Sequence, residues 1–160
     1  MKISIASTFL TLLAASVSAD ELEKRVGGYD ATCGEVRLDD ATMNPQYLTG
    51  DCPSNDLQWI RKTRLDLNLC YSPNDKGIIV PTDAGVGLNT SASYKPCVKC
   101  FIGNGYETPL TYYACDCVPE PDGGIETHSG VDLNQLIEND DGFLKCFGHK
   151  AELLTMYPYI

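Results

Sequence analysis

Positive charge is scarce in this chain. Twelve Lys and Arg stand against 22 Asp and Glu, a net charge of −10 at pH 7. That deficit argues against nucleic acid as a partner, because phosphate recognition needs clustered cations. It equally disfavours a membrane surface of acidic lipid headgroups. Histidine is nearly missing, with only His128 and His149, and no Gly-x-Ser-x-Gly, His-Glu-x-x-His or phosphate-loop sequence occurs. The usual signatures of serine hydrolases, zinc hydrolases and nucleotide enzymes are therefore absent. Nor does any apolar run reach the roughly 20 residues that a membrane span requires. Cysteine, by contrast, is plentiful: eight in 160 residues, beside an ordinary 43% of hydrophobic residues. Such a composition belongs to a folded, acidic small protein rather than to a disordered one.

The N-terminus reads as an address. Lys2 precedes a mostly apolar run over residues 3–13, and small residues then end in Val17-Ser18-Ala19. Residues 1–19 are thus expected to be a secretory signal peptide. Asp20-Glu21-Leu22-Glu23 is followed by the dibasic pair Lys24-Arg25, which predicts a propeptide over 20–25 and a mature chain from Val26. All eight cysteines lie beyond that cut. An even number in an oxidising compartment predicts disulfides and a secreted, extracellular protein. The sequon Asn89-Thr90-Ser91 fits the same address and makes Asn89 a glycosylation candidate.

Laid against itself, the chain repeats. Cys33 and Cys52 are followed by Leu65-Asp66-Leu67-Asn68 and then Asn74-Asp75-Lys76-Gly77-Ile78-Ile79. Cys100 and Cys117 are followed by Val131-Asp132-Leu133-Asn134 and then Asn139-Asp140-Asp141-Gly142-Phe143-Leu144. The separations agree closely: 19 and 17 residues between the cysteines, 14 and 15 from the second cysteine to Asp, and 11 and 10 from that Asp to the turn glycine. The repeats span about 33–80 and 97–147 within a domain over 26–150, with a tail over 151–160.

Each copy reads as strands. Leu57, Trp59, Arg61, Thr63, Leu65, Leu67 and Leu69 alternate with mostly polar neighbours, the period of a strand with one buried face. Residues 110–118 and 143–147 are further strand candidates, and Asp141-Gly142 is a hairpin turn signal. Residues 81–96, dense in Pro, Gly, Ser and Thr, form a connecting loop. A copy of about 50 residues has little apolar mass for a core of its own, so the two are expected to share one. Cys33 and Cys52 would staple the first hairpin. Cys97 and Cys100 face Cys115 and Cys117 in either pairing, and Cys70 and Cys146 are left for each other or free.

This duplicated pattern of a cysteine pair, a hydrophobic-Asp-Leu-Asn step and an Asn-x-Asp-Gly turn resembles the cyanovirin-N homology domain, from Cys33 to about Phe147. The stretch from Gly130 through Asn139-Asp140-Asp141-Gly142 to Lys145 carries the likeness best, while the first copy keeps a degraded turn. The resemblance implies an all-β, pseudo-symmetric pair of intertwined repeats, disulfide-stapled, with each half assembled from strands of both copies. It also implies a non-enzymatic lectin for mannose-type or related oligosaccharides, of a family with secreted fungal members, and two sugar clefts. One would combine Ala31 and Thr32, then Pro53, Ser54 and Asn55, then Glu138, Asn139, Asp140 and Asp141. The weaker one would combine Asn74, Asp75 and Lys76 with Val118, Pro119 and Glu120. Asn and Asp suit such a role by chemistry, since an amide donates and accepts while a carboxylate accepts, and paired contacts grip neighbouring hydroxyls.

Other chemistries fit less well. Cys97-x-x-Cys100 with Cys115-x-Cys117 could hold zinc, though a secreted chain favours disulfides. His128, read as lying in a polar loop near Glu126, could serve a hydrolase or nuclease as acid or base, but no spacing supplies a second group. Pro121-Asp122-Gly123-Gly124 has one carboxylate, too few for calcium. Trp59, Tyr112 and Tyr113 are expected in core or half-buried packing. The apolar tail is expected against its own domain. No metal or cofactor is predicted, and the partners are oligosaccharides or glycoproteins. The alternative is a secreted cysteine-rich effector that uses the same fold to bind a host protein.

Overall fold

The structure, a computed structural model, describes residues 28–39, 46–83, 87–88, 97–103, 111–118 and 126–160. The signal peptide, the propeptide, Asn89, Pro119, Glu120 and Asp122 lie outside the described residues. Twelve strands are described and no α-helix among them. The first repeat contributes β1 (Gly34–Asp39), β2 (Tyr47–Pro53), β3 (Trp59–Asp66), β4 (Tyr71–Pro73) and β5 (Ile79–Pro81). The second contributes β6 (Val98–Ile102), β7 (Tyr112–Cys117), β8 (Thr127–Asp132), β9 (Glu138–Asp140) and β10 (Phe143–Cys146). Two more, β11 (His149–Lys150) and β12 (Glu152–Pro158), follow.

The repeats fold alike. Antiparallel β1-β2-β3 is matched by β6-β7-β8, and hairpin β4-β5 by β9-β10. Even the irregularities recur: β1 bulges between Gly34 and Arg37, β6 between Val98 and Phe101, with Glu35 and Lys99 both at positive φ. The hydrophobic-Asp-Leu-Asn step has a physical role in each copy. Asp66 and Asp132 accept from the backbone N–H of Asn68 and Asn134 at 2.9 and 3.0 Å, capping the short 3-10 turns Leu67–Leu69 and Leu133–Gln135. Leu67 and Leu133 are fully buried. The Asn side chains then tie down the entry to a repeat, Asn134 accepting from Asp30 N–H at 3.0 Å and Asn68 from Leu88 N–H at 2.9 Å.

The halves are intertwined. Hairpin β9-β10 packs on the sheet of the first repeat, where Leu144 N–H donates to the Thr63 hydroxyl at 3.4 Å. Hairpin β4-β5 packs on the second, where Ile79 N–H donates to the Ser129 hydroxyl at 2.9 Å. One continuous core results, drawing Leu48, Leu65 and Tyr71 from one copy and Tyr113, Ile137 and Leu144 from the other. Gly50 permits this closeness, because a Cβ there would press on Val36 and Leu144 at 3.2 and 3.3 Å.

Four disulfides join Cys33–Cys52, Cys70–Cys146, Cys97–Cys117 and Cys100–Cys115. The zinc reading of the last four thiols is thereby overturned. The repeat alignment shifts as well: the counterpart of Cys33–Cys52 is Cys97–Cys117, and Cys100–Cys115 is an extra bridge where the first copy has Val36 and Gly50. The long strand expected from Leu57 is shorter at both ends. Leu57 sits in a turn at φ 55°, Leu67 and Leu69 belong to the 3-10 turn, and Trp59, expected in core or half-buried packing, is exposed at the first position of β3. Tyr113 is buried and Tyr112 half-buried, as expected. The tail adds β12 to β3 antiparallel, so the four-stranded sheet runs β1-β2-β3-β12.

Candidate functional site

The tip of hairpin β9-β10 lies against the turn between β2 and β3. Asp141 and Gly142 both have positive φ, 54° and 82°, the geometry of a tight two-residue hairpin turn. Asn139 folds back over it, its Oδ1 accepting from Gly142 N–H at 2.7 Å. Its Nδ2 donates across the repeats, to the Pro53 carbonyl at 3.1 Å and the Thr32 hydroxyl at 3.3 Å. Asp141 crosses the same boundary. Its Oδ1 accepts from Asn55 N–H at 2.9 Å and its Oδ2 lies 3.1 Å from the Arg61 guanidinium, which also donates to the Asp141 carbonyl. The Asn55 amide holds the Asp141 carboxyl below its ordinary range; partial desolvation opposes it, and the Arg61 guanidinium adds to the lowering.

Thr32, Pro53, Asn55, Asn139 and Asp141, from three distant stretches, thus meet at one end of the molecule. Asp141 keeps nearly half of its side chain in solvent, and Thr32 and Asn55 are exposed. The Asn55 side chain has no partner among the described residues. A ligand would meet a carboxylate acceptor, an amide that gives and takes, and a hydroxyl, all on a rigid turn.

Three residues predicted for this cleft sit otherwise. Ser54 is 2% exposed; its hydroxyl donates to Asp56 at 2.5 Å and accepts from Trp59 N–H at 3.1 Å, so it braces the turn from inside. Glu138 and Asp140 flank Asn139 along β9 and take the side opposite to it. There Lys145 lies 3.2 Å from Glu138 and 3.5 Å from Asp140, and Lys150 lies 3.3 Å from Asp140. Two participants went unpredicted. Arg61 carries Asp141, and Asp56 orders the β2-β3 turn, its carboxyl held low mainly by the Ser54 hydroxyl. An arginine at an apolar-phase position of a strand was the available signal for Arg61.

Only the hairpin side of the weaker cleft is described in full. Asn74 Oδ1 accepts from Lys76 and Ile78 N–H, both at 3.0 Å, leaving Asp75 and Lys76 exposed. Val118 is half-buried just beyond β7. His128 is on β8, not in a loop; its Nδ1 lies 2.9 Å from Asp116 and its ring stacks on Phe101 at 5.8 Å. Among the described residues there is no cluster suited to a metal ion, and no helix is long and apolar enough to cross a membrane.

Comparison with known proteins agrees with this architecture. No curated protein matches the chain, but the sequence model of the CVNH domain family matches residues 29–152, more than three quarters of its length. With that span covered and the intertwined, disulfide-stapled β-fold in place, the chain belongs to the CVNH domain family, a family known for carbohydrate-binding lectins.

Proposed function

We propose that this protein is a secreted, non-enzymatic lectin that recognises mannose-type or related oligosaccharides through the cleft of Thr32, Asn55, Asn139 and Asp141. The observation that carries the reading is the convergence of these polar residues from both repeats onto one solvent-accessible turn, in a family known for sugar binding. Ser54 and Arg61 serve as supports beneath it. Glu138 and Asp140 lie on the other side of the hairpin, held by Lys145 and Lys150, outside the cleft. The hairpin of Asn74, Asp75 and Lys76 forms part of a second, weaker cleft with Val118, Pro119 and Glu120, so that a branched glycan engaging both would gain through effective concentration. Secretion is supported by the four disulfides.

The test is a glycan array with the mature, oxidised protein, run beside Asn55→Ala and Asp141→Ala. Mannose-type ligands should bind, with binding reduced in both variants while the far-ultraviolet spectrum is unchanged. An array with no binding, or binding indifferent to both substitutions, would overturn the proposal.

A further inference from the structure

Trp59 is the only tryptophan of the chain, and it is 36% exposed where β3 begins. An indole left open to water beside other apolar groups is the kind of patch that marks a contact surface. Alternation along β3 sets Trp59 on the same face as Arg61, Thr63 and Leu65. Thr63 and Leu65 are buried under hairpin β9-β10. Arg61 lies under its tip, where a Cβ on Gly142 would sit 3.0 Å from the Arg61 Cδ. Trp59 is the next position outward, so its exposure follows from where the hairpin ends. Two residues along a strand are about 7 Å apart, which places Trp59 beside the Arg61–Asp141 pair. The β2-β3 turn closes on the same residue: Ser54 N–H donates to the Trp59 carbonyl at 2.8 Å, and Trp59 N–H to the Ser54 hydroxyl at 3.1 Å. Asn55 follows directly on that pair.

The tail completes a platform. Beyond its bulge, β12 sets Met156 opposite Arg61 and Pro158 opposite Trp59, and cross-strand partners share a face. Tyr159 N–H donates to the Gln58 carbonyl at 2.9 Å, which fastens the strand to the turn. Met156 and Pro158 are both exposed, and the indole N–H has no partner among the described residues. A pyranose presents hydroxyls around its rim and a patch of C–H groups on its face. The cleft of Thr32, Asn55, Asn139 and Asp141 supplies donors and acceptors for a rim. Trp59, Met156 and Pro158 supply flat apolar surface for a face, with one free donor at the ring edge. Side by side, they match a chain of sugars rather than a single one.

We propose that Trp59, with Met156 and Pro158 beside it, is a specificity-determining platform on which the second sugar of an oligosaccharide stacks while the first sits in the cleft. The platform makes the protein select oligosaccharides over monosaccharides. It rests on the cleft binding sugar, and it adds the length of glycan that is discriminated.

Because Trp59 is the sole tryptophan, its emission reports the platform, while the amide resonances of Asn55 and Asp141 report the cleft. The mature, oxidised protein is titrated with methyl mannoside and with a linear mannotriose. Methyl mannoside should move the two amides and leave the indole emission unchanged. Mannotriose should move the amides and also shift the emission to the blue, as water leaves the ring. Trp59→Ala should weaken mannotriose about tenfold and leave methyl mannoside nearly unchanged, with Trp59→Phe recovering most of the loss. Mannotriose that moves the amides while the indole stays silent, or that loses no more affinity than methyl mannoside in Trp59→Ala, would overturn the platform and leave the cleft standing. Emission that follows protein concentration but neither sugar would assign the surface to a contact between copies and overturn it as well. No response of either probe to either sugar would take down the lectin reading and the platform together. The titration of the unmutated protein decides the matter if a variant fails to fold.

Discussion

Removing the Cys70–Cys146 bridge should cost more stability than removing any other, because it alone crosses between the repeats. It closes 76 residues of chain, but Cys97–Cys117 lies inside that loop and shortens the path through the unfolded chain to about 60 residues. Loop-closure entropy for that length gives about 4 kcal/mol. The local bridge Cys100–Cys115 sits inside the loop already closed by Cys97–Cys117, so breaking it frees only a handful of residues and should cost about 2 kcal/mol. The assay is equilibrium unfolding in guanidinium of two double variants, Cys70→Ala with Cys146→Ala, and Cys100→Val with Cys115→Gly. The second pair installs the residues that the first repeat uses at Val36 and Gly50. The inter-repeat variant should unfold at lower denaturant with a steeper slope, since its denatured chain expands. Equal losses in the two variants would refute the reasoning, for they would mean that the intertwined hairpins, not the cross-link, set how far the halves separate on unfolding.

Other outcomes follow from single contacts. Thr63→Val leaves the Leu144 N–H buried without its acceptor and should cost about 1–3 kcal/mol by the same unfolding assay; Ser129→Ala should do the same to Ile79 in the other half. The Asp141 carboxyl is held low in the folded state, so the contact it makes is fully present above the ordinary aspartate range and is lost as pH falls through the depressed value. The Asn55 amide resonance should therefore stay constant at neutral and mildly acid pH and shift only in strong acid; a shift near neutrality would contradict the assigned contact. Tyr157 donates to Asp51 at 2.7 Å, which raises its phenol to about 12. That contact holds below the ordinary tyrosine range and weakens as pH rises through the raised value, so Tyr157→Phe should speed hydrogen exchange along β12 at neutral pH.

The architecture was legible because it is written locally and twice. A capping Asp, a buried Leu and a tethering Asn are consecutive residues, and an Asp-Gly turn declares its own backbone. Those signals located β3 and β10, and they paired Cys33 with Cys52 across one hairpin, while β8 was read as a loop around His128. The cleft was legible in part for the same reason: residues flanking a staple and residues of a turn are named by position. Their orientation was not. Whether Ser54 faces solvent or Asp56, and whether Glu138 and Asp140 share a side with Asn139, depends on which face of β9 meets the first sheet, a packing outcome with no local signature.

The amino-acid sequence by itself determined the repeat, the capped turns and the hairpin tips, because each is set by backbone preference and hydrogen bonding within a few residues. Only the tertiary structure decided which of the crowded cysteines pair, since Cys97 and Cys100 are too close in sequence for spacing to choose and the β6 bulge sets the register. It also decided that the tail pairs with β3 while the equivalent edge of β8 has no strand beside it among the described residues. Both choices rest on contacts between residues far apart in the chain, where burial and strand register decide between partners that local sequence leaves equal.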